Sequence, residues 1–307
     1  MAGHRGLVGG AVWRSLLTKG FTNLIGWSSK ELDLCDRTST LEAVAGAKPD
    51  VIIMAAAKVG GIGANNDFPV EFLTDNIRIQ ANVFEAANKA NVDRLLFLGS
   101  SCIYPKFAEQ PIREDSLLTG PLEPTNDAYA IAKIAGVLHV QGYRREYDRN
   151  WFSVMPTNLY GPGDNFDLET SHVLPAMIRK FHDAKISGSE EVVLWGDGSP
   201  LREFLHVDDL ANACIYLLES YNGKEPINVG YGTDISIMAL ASMIAERVGF
   251  QGKVVWDASK PNGTPRKLLD SSRIRSLGWS PKFSLMEGIK DTYDWYVNAT
   301  RESNSHA

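Results

Sequence analysis

The chain has 307 residues, long for one simple core and short for three domains, so a large α/β domain with a smaller companion and a cleft between them is expected. Apolar residues make up 44% and charged residues 22%, which excludes a disordered chain. With 31 basic against 37 acidic residues, net −6, and no long Lys/Arg run, nucleic acid and anionic membrane are excluded as general partners. Any anionic ligand must be held by local groups.

In chain order, Gly3, Gly6 and Gly9 form a G-x-x-G-x-x-G loop that runs into a helical pattern over 11–17. Short β-rich runs at 23–26, 50–54, 94–99 and 151–155 alternate with helical stretches, among them 70–90 and 129–147. That alternation reads as parallel βαβ units in a Rossmann-type doubly wound sheet. From about Gly161 the elements shorten and Gly and Pro become frequent, through 192–195, 210–218 and 236–248 to a final helix over 285–297. The expected division is a dinucleotide-binding domain over 1–160, a mainly substrate-binding α/β lobe over 161–298 with some chain returning to the first domain, and a flexible polar tail over 299–307.

Three cysteines, Cys35, Cys102 and Cys214, are odd in number and widely spaced, which supports neither a disulfide framework nor a zinc site. No metal is expected, and a reducing compartment is. No apolar stretch approaches the roughly 20 residues that span a bilayer, and no apolar signal core is present, so the chain reads as cytoplasmic.

Closely spaced glycines let a backbone approach a pyrophosphate, which then sits at the positive end of the following helix. A strand ordinarily precedes such a loop, yet Gly3 stands two residues from Met1. The expectation is that this chain lacks the first strand, leaving an apolar gap in the sheet. After the run at 23–26, Gly26-Trp-Ser-Ser-Lys30 places no acid where an NAD enzyme holds ribose hydroxyls, while Arg5 and Lys30 suit a 2′-phosphate. NADPH/NADP+ is therefore the expected cofactor.

Tyr129-Ala-Ile-Ala-Lys133 sets a phenol and an ammonium on one helix face. A phenol of ordinary pKa, roughly 10, exchanges protons near neutrality only if a close cation favours its phenolate, and Lys133 is the expected cation. Phe97-Leu-Gly-Ser-Ser-Cys-Ile-Tyr104 is a strand followed directly by small hydroxyl residues, at the strand end where open α/β sheets bind ligands.

Glycine loop, strand-end serine and Tyr-x-x-x-Lys, in that order, resemble the extended short-chain dehydrogenase/reductases, a family of nucleotide-sugar epimerases, dehydratases and reductases. Longer motifs narrow the resemblance to its members that act on GDP-linked 4-keto sugars: Ala2-Gly-His-Arg-Gly6, Ala55-Ala-Ala-Lys-Val-Gly-Gly-Ile62, Leu98-Gly-Ser-Ser-Cys-Ile-Tyr-Pro-Lys106, Glu123-Pro-Thr-Asn126, Met155-Pro-Thr-Asn-Leu-Tyr-Gly-Pro162, Arg202-Glu-Phe-Leu-His-Val-Asp-Asp209 and Lys260-Pro-Asn-Gly-Thr-Pro-Arg266. The likeness runs from residue 2 to about 298.

The resemblance implies epimerisation of a GDP-4-keto-6-deoxy-hexose at C3 and C5, followed by reduction at C4 with NADPH. It implies Cys102 as the base and His172 as the acid of epimerisation, with Ser100, Tyr129 and Lys133 serving the reduction. It implies cofactor contacts from Gly3, His4, Arg5, Gly6, Leu7, Gly9, Lys30, Leu98, Gly99, Ser100, Ser101, Tyr129, Lys133, Pro156, Thr157, Asn158, Leu159 and His172. Lys180, Trp195, Arg202 and Asn262 are the implied contacts to the GDP-sugar. Lys180 stands where the family commonly has Arg, and Asn262 where it has Asp, which removes a bidentate fork and a charge. A homodimer sealed by the helices at 70–90 and 129–147 is common in look-alikes. The competing readings are an NAD-dependent nucleotide-sugar 4-epimerase or dehydratase on the same fold, and an NADP-binding sensor without turnover.

Overall fold

The computed structural model describes residues 1–260 and 262–305; residues 306 and 307, part of the expected tail, lie outside the described residues. Helices α1 (Leu7–Thr18) and α2 (Arg37–Ala47) precede strand β1 (Val51–Met54), and α3 (Ile62–Asp67) and α4 (Pro69–Lys89) precede β2 (Arg94–Leu98). Helix α5 (Asp127–Tyr147) leads to β3 (Asn150–Pro156) and the short β4 (Asn158–Tyr160). Then follow α6 (Val173–Ser187), β5 (Glu191–Trp195), β6 (Leu201–His206), α7 (Val207–Ser220), β7 (Ile227–Val229) and β8 (Asp234–Ser236). The chain closes with α8 (Ile237–Val248), β9 (Lys253–Asp257), β10 (Arg266–Lys267), α9 (Ser272–Ser276) and α10 (Leu285–Ser305).

The first sheet has the order β1-β2-β3-β7 with every pair parallel, so β7 is the returning chain. Side-chain alternation sorts its residues onto two faces. Ile53, Leu96, Leu98, Phe152 and Val154 pack with residues of α1 and α7, whereas Ile52, Met54, Leu95, Phe97, Trp151 and Met155 pack with residues of α4 and α5. Both faces are covered, which is why the strands read as unbroken apolar runs and why the sheet is doubly wound. Trp151 is fully buried and its indole N–H donates to the Val92 carbonyl at 2.9 Å.

In the second lobe, β6 lies between β4 and β10 and also pairs antiparallel with β8, while β5 pairs with β9. Buried carboxylates pin its loops: Glu203 accepts from the Gly232 and Leu269 amides, and Asp209 from the Lys282 and Phe283 amides. His206 Nε2 stands 3.3 Å from Asp291 of α10, where that helix packs on β6. Helix α10 continues to Ser305, past the expected end at 297, so 299–305 is helical.

The run at 23–26 forms no strand, contrary to expectation. Its ladder partner is two residues long: Met1 donates its amine to the Ile25 carbonyl, while Ala2 bridges to Met54, donating to Ile53 O and accepting from Ala55 N at 3.0 Å each. Ile25 and Val51 are exposed at 36% and 43%.

Candidate functional site

The carboxyl ends of β1, β2 and β3 open into a cleft of about 1080 Å³, closed on the far side by α6, β5, β6 and the segment before β10. All the expected cofactor, catalytic and substrate residues line it, from the glycine loop at one end to Lys180, Trp195, Arg202 and Asn262 at the other.

At the loop end, Gly3 has φ +82, and a Cβ on it would lie 2.6 Å from the Ala56 amide. A Cβ on Gly9 would collide with the Gly3 carbonyl, so the turn closes only with glycine. The next helix, α1, starts with Gly6 as N-cap, no side chain bonded to its free amides and no acid in its first turn. Bare amides at a positive helix end, reached across glycines, fit a dinucleotide pyrophosphate. Arg5 and Lys30 line the cleft beside this loop. An acid does stand nearby: Glu31 takes both the amide and the hydroxyl of Ser28 and lies 3.9 Å from Arg5, and Asp33 also lines the cleft. Those bonds hold the Glu31 carboxyl below its ordinary range. The expectation of an acid-free strand end overlooked both residues.

At the centre, β2 ends at Leu98 and the chain turns into a single 3-10 turn over Ser101–Ile103. Ser100 caps that turn, accepting from the Cys102 amide at 3.2 Å, which aims the Cys102 side chain back toward the cleft. Two further groups reach the sulfur: Asn126 Nδ2 at 3.3 Å and Lys267 Nζ at 3.6 Å. Burial opposes charge on this thiol, but the Lys267 ammonium and the hydrogen bonds from Ser100, Lys267 and Asn126 outweigh it and bring its pKa below the ordinary value. His172, the N-cap residue of α6, is depressed by burial and by the charge of Lys267.

Tyr129 and Lys133 face the cleft from α5, but their coupling differs from expectation. Lys133 donates to the Leu98 carbonyl at 2.8 Å and lies 5.8 Å from the centroid of the Tyr129 ring. The Tyr129 phenol is raised, not lowered: burial and the Cys102 charge raise it, with only the Ser100 hydrogen bond acting in the other direction. Burial without a carboxylate partner pushes Lys133 down to about 7. The last carbonyl of β2 has captured the amine that was expected to favour the phenolate.

At the far end of the cleft, Lys180 on α6 donates to the Val193 carbonyl at 2.9 Å, and burial lowers its pKa. Arg202 on β6 lines the cleft and donates from Nη1 to its neighbour's carbonyl, at Leu201. Trp195 is 56% exposed, with the Lys260 amine 5.4 Å from its ring centroid. Asn262 Oδ1 accepts from the Asp197 amide at 3.0 Å. Asn262 is thus tied to the turn after Trp195, where its side chain also hydrogen-bonds the Asp197 carboxyl.

Reasoning from sequence missed Lys267 and Asn126 as partners of the sulfur. Each lies at the edge of a quoted motif, Asn126 closing Glu123-Pro-Thr-Asn126 and Lys267 following Arg266. Neither carries a local signal, because their meeting with Cys102 is set by the packing of β10 and of the turn before α5. Also in the cleft, Lys106 pairs with Glu123 at 3.0 Å.

The profile of the NAD dependent epimerase/dehydratase family matches residues 1–230. A rice protein described as a probable GDP-L-fucose synthase 1 is 60% identical over 299 residues, covering 97% of this chain and 91% of its own length. The GDP-L-fucose synthase of Escherichia coli K12 is 50% identical over 306 residues, covering 97% and 95%. The structure of a Naegleria fowleri GDP-L-fucose synthetase bound to NADP superposes with a TM-score of 0.89 at 29% identity, over 98% of this chain and 94% of that one. On these matches, and on the glycine loop, strand-end serine and Tyr129/Lys133 pair that line one cleft, the chain belongs to the NAD dependent epimerase/dehydratase family.

Proposed function

We propose that this chain converts GDP-4-keto-6-deoxy-D-mannose to GDP-L-fucose, inverting C3 and C5 and then reducing C4 at the expense of NADPH. The observation that carries the reading is the shared cleft. A thiol in hydrogen-bond reach of a cation, and an imidazole, line the same cleft as the Ser/Tyr/Lys set. A 4-epimerase has no use for the first group, a sensor has no use for either, and no carboxylate follows Ser100 as a dehydratase needs.

The 4-ketone acidifies the hydrogens on both flanking carbons. The Cys102 thiolate takes the proton from carbon and becomes a thiol, and the electron pair moves into the carbonyl as an enolate. His172 returns a proton to that carbon from the opposite face, inverting it, and solvent resets both groups before the second carbon is worked. For the reduction, NADPH supplies hydride to C4. Ser100 orients the carbonyl oxygen, and Tyr129, whose raised phenol is fully protonated near neutrality, gives its proton to the alkoxide. Lys133 sits behind Tyr129 at the cofactor side of the cleft. Inversion comes first, because reduction removes the ketone that makes the protons labile.

At the other end, Arg202 and Lys180 provide charge for the GDP phosphates and Trp195 an exposed aromatic face. Lys180 offers a point charge instead of a fork, and Asn262 an uncharged amide, so Arg202 is the one bidentate phosphate ligand of this set.

A homodimer is part of this reading. Val70 and Ile77 on α4, and Ile131 and Leu138 on α5, are exposed at 73%, 39%, 45% and 43%, each pair seven residues apart on helices that pack together. Two such faces would bury one another as a four-helix seam. A cytosolic setting belongs to the reading as well, since a thiol that must ionise has to stay reduced, and all three cysteines are free. Among the described residues no helix is long and apolar enough to cross a membrane.

Two substitutions separate the half-reactions. Cys102→Ser should suppress deuterium wash-in from heavy water at C3 and C5 by about a hundredfold or more while NADPH binding persists. Undiminished wash-in would reject Cys102 as base. Tyr129→Phe should slow NADPH oxidation by a similar factor and spare the exchange; normal oxidation would reject Tyr129 as donor. For the seam, Ile131→Arg together with Leu138→Arg should shift the sedimenting species from dimer to monomer, and an unchanged dimer would place the interface elsewhere.

A further inference from the structure

Cys102 lies in a cleft wall where burial alone would keep it a neutral thiol. Lining the same cleft are Tyr129 on α5, His172 at the N-cap of α6, Lys267 on β10 and the Lys106–Glu123 pair. Asn126 donates to the sulfur, but as a neutral amide it brings no charge. Among these groups Lys267 supplies the cation in hydrogen-bond reach of the sulfur.

We infer that Lys267 is a positioning residue of the epimerisation step, acting through Cys102 as the counter-charge of its sulfur; this rests on the reading of Cys102 as the carbon base. The lysine is well placed for such work because its backbone is held three ways. Lys267 pairs in parallel register with Arg202, the Leu268 amide donates to Gln110 Oε1 at 2.9 Å, and the Leu269 amide donates to the buried Glu203 at 3.1 Å. The amine therefore reaches the sulfur from a fixed strand, so little ordering is required when substrate arrives. One charge also acts on both proton-transfer groups. It favours the thiolate that removes a proton, and it makes a proton on His172 easier to give up. One charge thus bears on both proton-transfer groups of the inversion. Neither the pairing of Ser100 with Tyr129 nor the contacts of Lys133 involve Lys267, so reduction depends on it far less.

The test compares the wild-type holoenzyme with Lys267→Met, Lys267→Arg and Asn126→Ala. The rate of Cys102 alkylation by iodoacetamide is followed against pH by mass spectrometry of the Cys102 peptide, and deuterium wash-in at C3 and C5 is measured at saturating sugar. For Lys267→Met the midpoint of the alkylation profile should move up by about one pH unit or more. Wash-in near neutrality should fall about tenfold through kcat with KM little changed, and should recover as pH is raised. Lys267→Arg should restore both readouts, and Asn126→Ala should move the midpoint by less than Lys267→Met. An unshifted alkylation profile in Lys267→Met, or a loss of wash-in that higher pH does not recover, overturns the proposal. If wild-type enzyme alkylates with the expected profile yet shows no wash-in, the reading of Cys102 as base fails while the coupling of Lys267 to its sulfur stands.

Discussion

The parallel register of three buried strands is the constraint on which the rest of the molecule depends. Because β1, β2 and β3 run side by side in one direction, their carboxyl ends emerge at one rim, and the residues just past each end must share a cleft. Ala55 to Lys58, Ser100 to Cys102 and Thr157 to Leu159 are brought together in this way across about a hundred residues of sequence. The register is hard to slip, because each strand is buried on both faces and a shift of one residue would exchange the sets that meet α1/α7 and α4/α5. The second lobe closes the cleft through strands fixed by buried carboxylates, chiefly Glu203, which ties β6 to the segment carrying β10.

Inside that cleft, burial works on every ionisable group, and the local partner decides the outcome. Lys133 has a carbonyl and no anion, and falls to about 7. Tyr129 has a hydrogen bond and a nearby sulfur, and rises, which keeps its proton in place near neutrality. Cys102 has an ammonium and two neutral donors, and falls despite its burial, which suits a base. Two adjacent groups thus shift in opposite directions through their neighbours, with the same desolvation acting on both.

Much of this was legible in the sequence because the signals are local. The glycine loop, the apolar strand runs and the i, i+4 spacing of Tyr129 and Lys133 follow from short-range periodicity, and the long motifs carried the family resemblance. What the sequence hid is non-local. The run at 23–26 has strand composition, but a strand exists only with a partner, and its neighbour here is a two-residue stub. Lys133 was expected to serve Tyr129, and the competing acceptor at Leu98, 35 residues away, could not be seen from spacing. The polar segment 299–305 lacks the apolar pattern that marks a core helix, yet it continues the helix already established from Leu285. Lys267 lies 165 residues from the sulfur it meets, on a strand of two residues with no pattern to announce it.

The central claim is that inversion at two carbons and reduction at a third occur in one cleft and in that order. The most direct measurement is the proton NMR spectrum of the sugar nucleotide formed from GDP-4-keto-6-deoxy-D-mannose and NADPH by the unaltered protein in heavy water. The account predicts a single 6-deoxy-L-galacto product with solvent deuterium at both C3 and C5 and none at C4. A 6-deoxy-D-manno or D-talo product retaining its original C3 and C5 protons would contradict it, because reduction would then proceed without the thiol and imidazole.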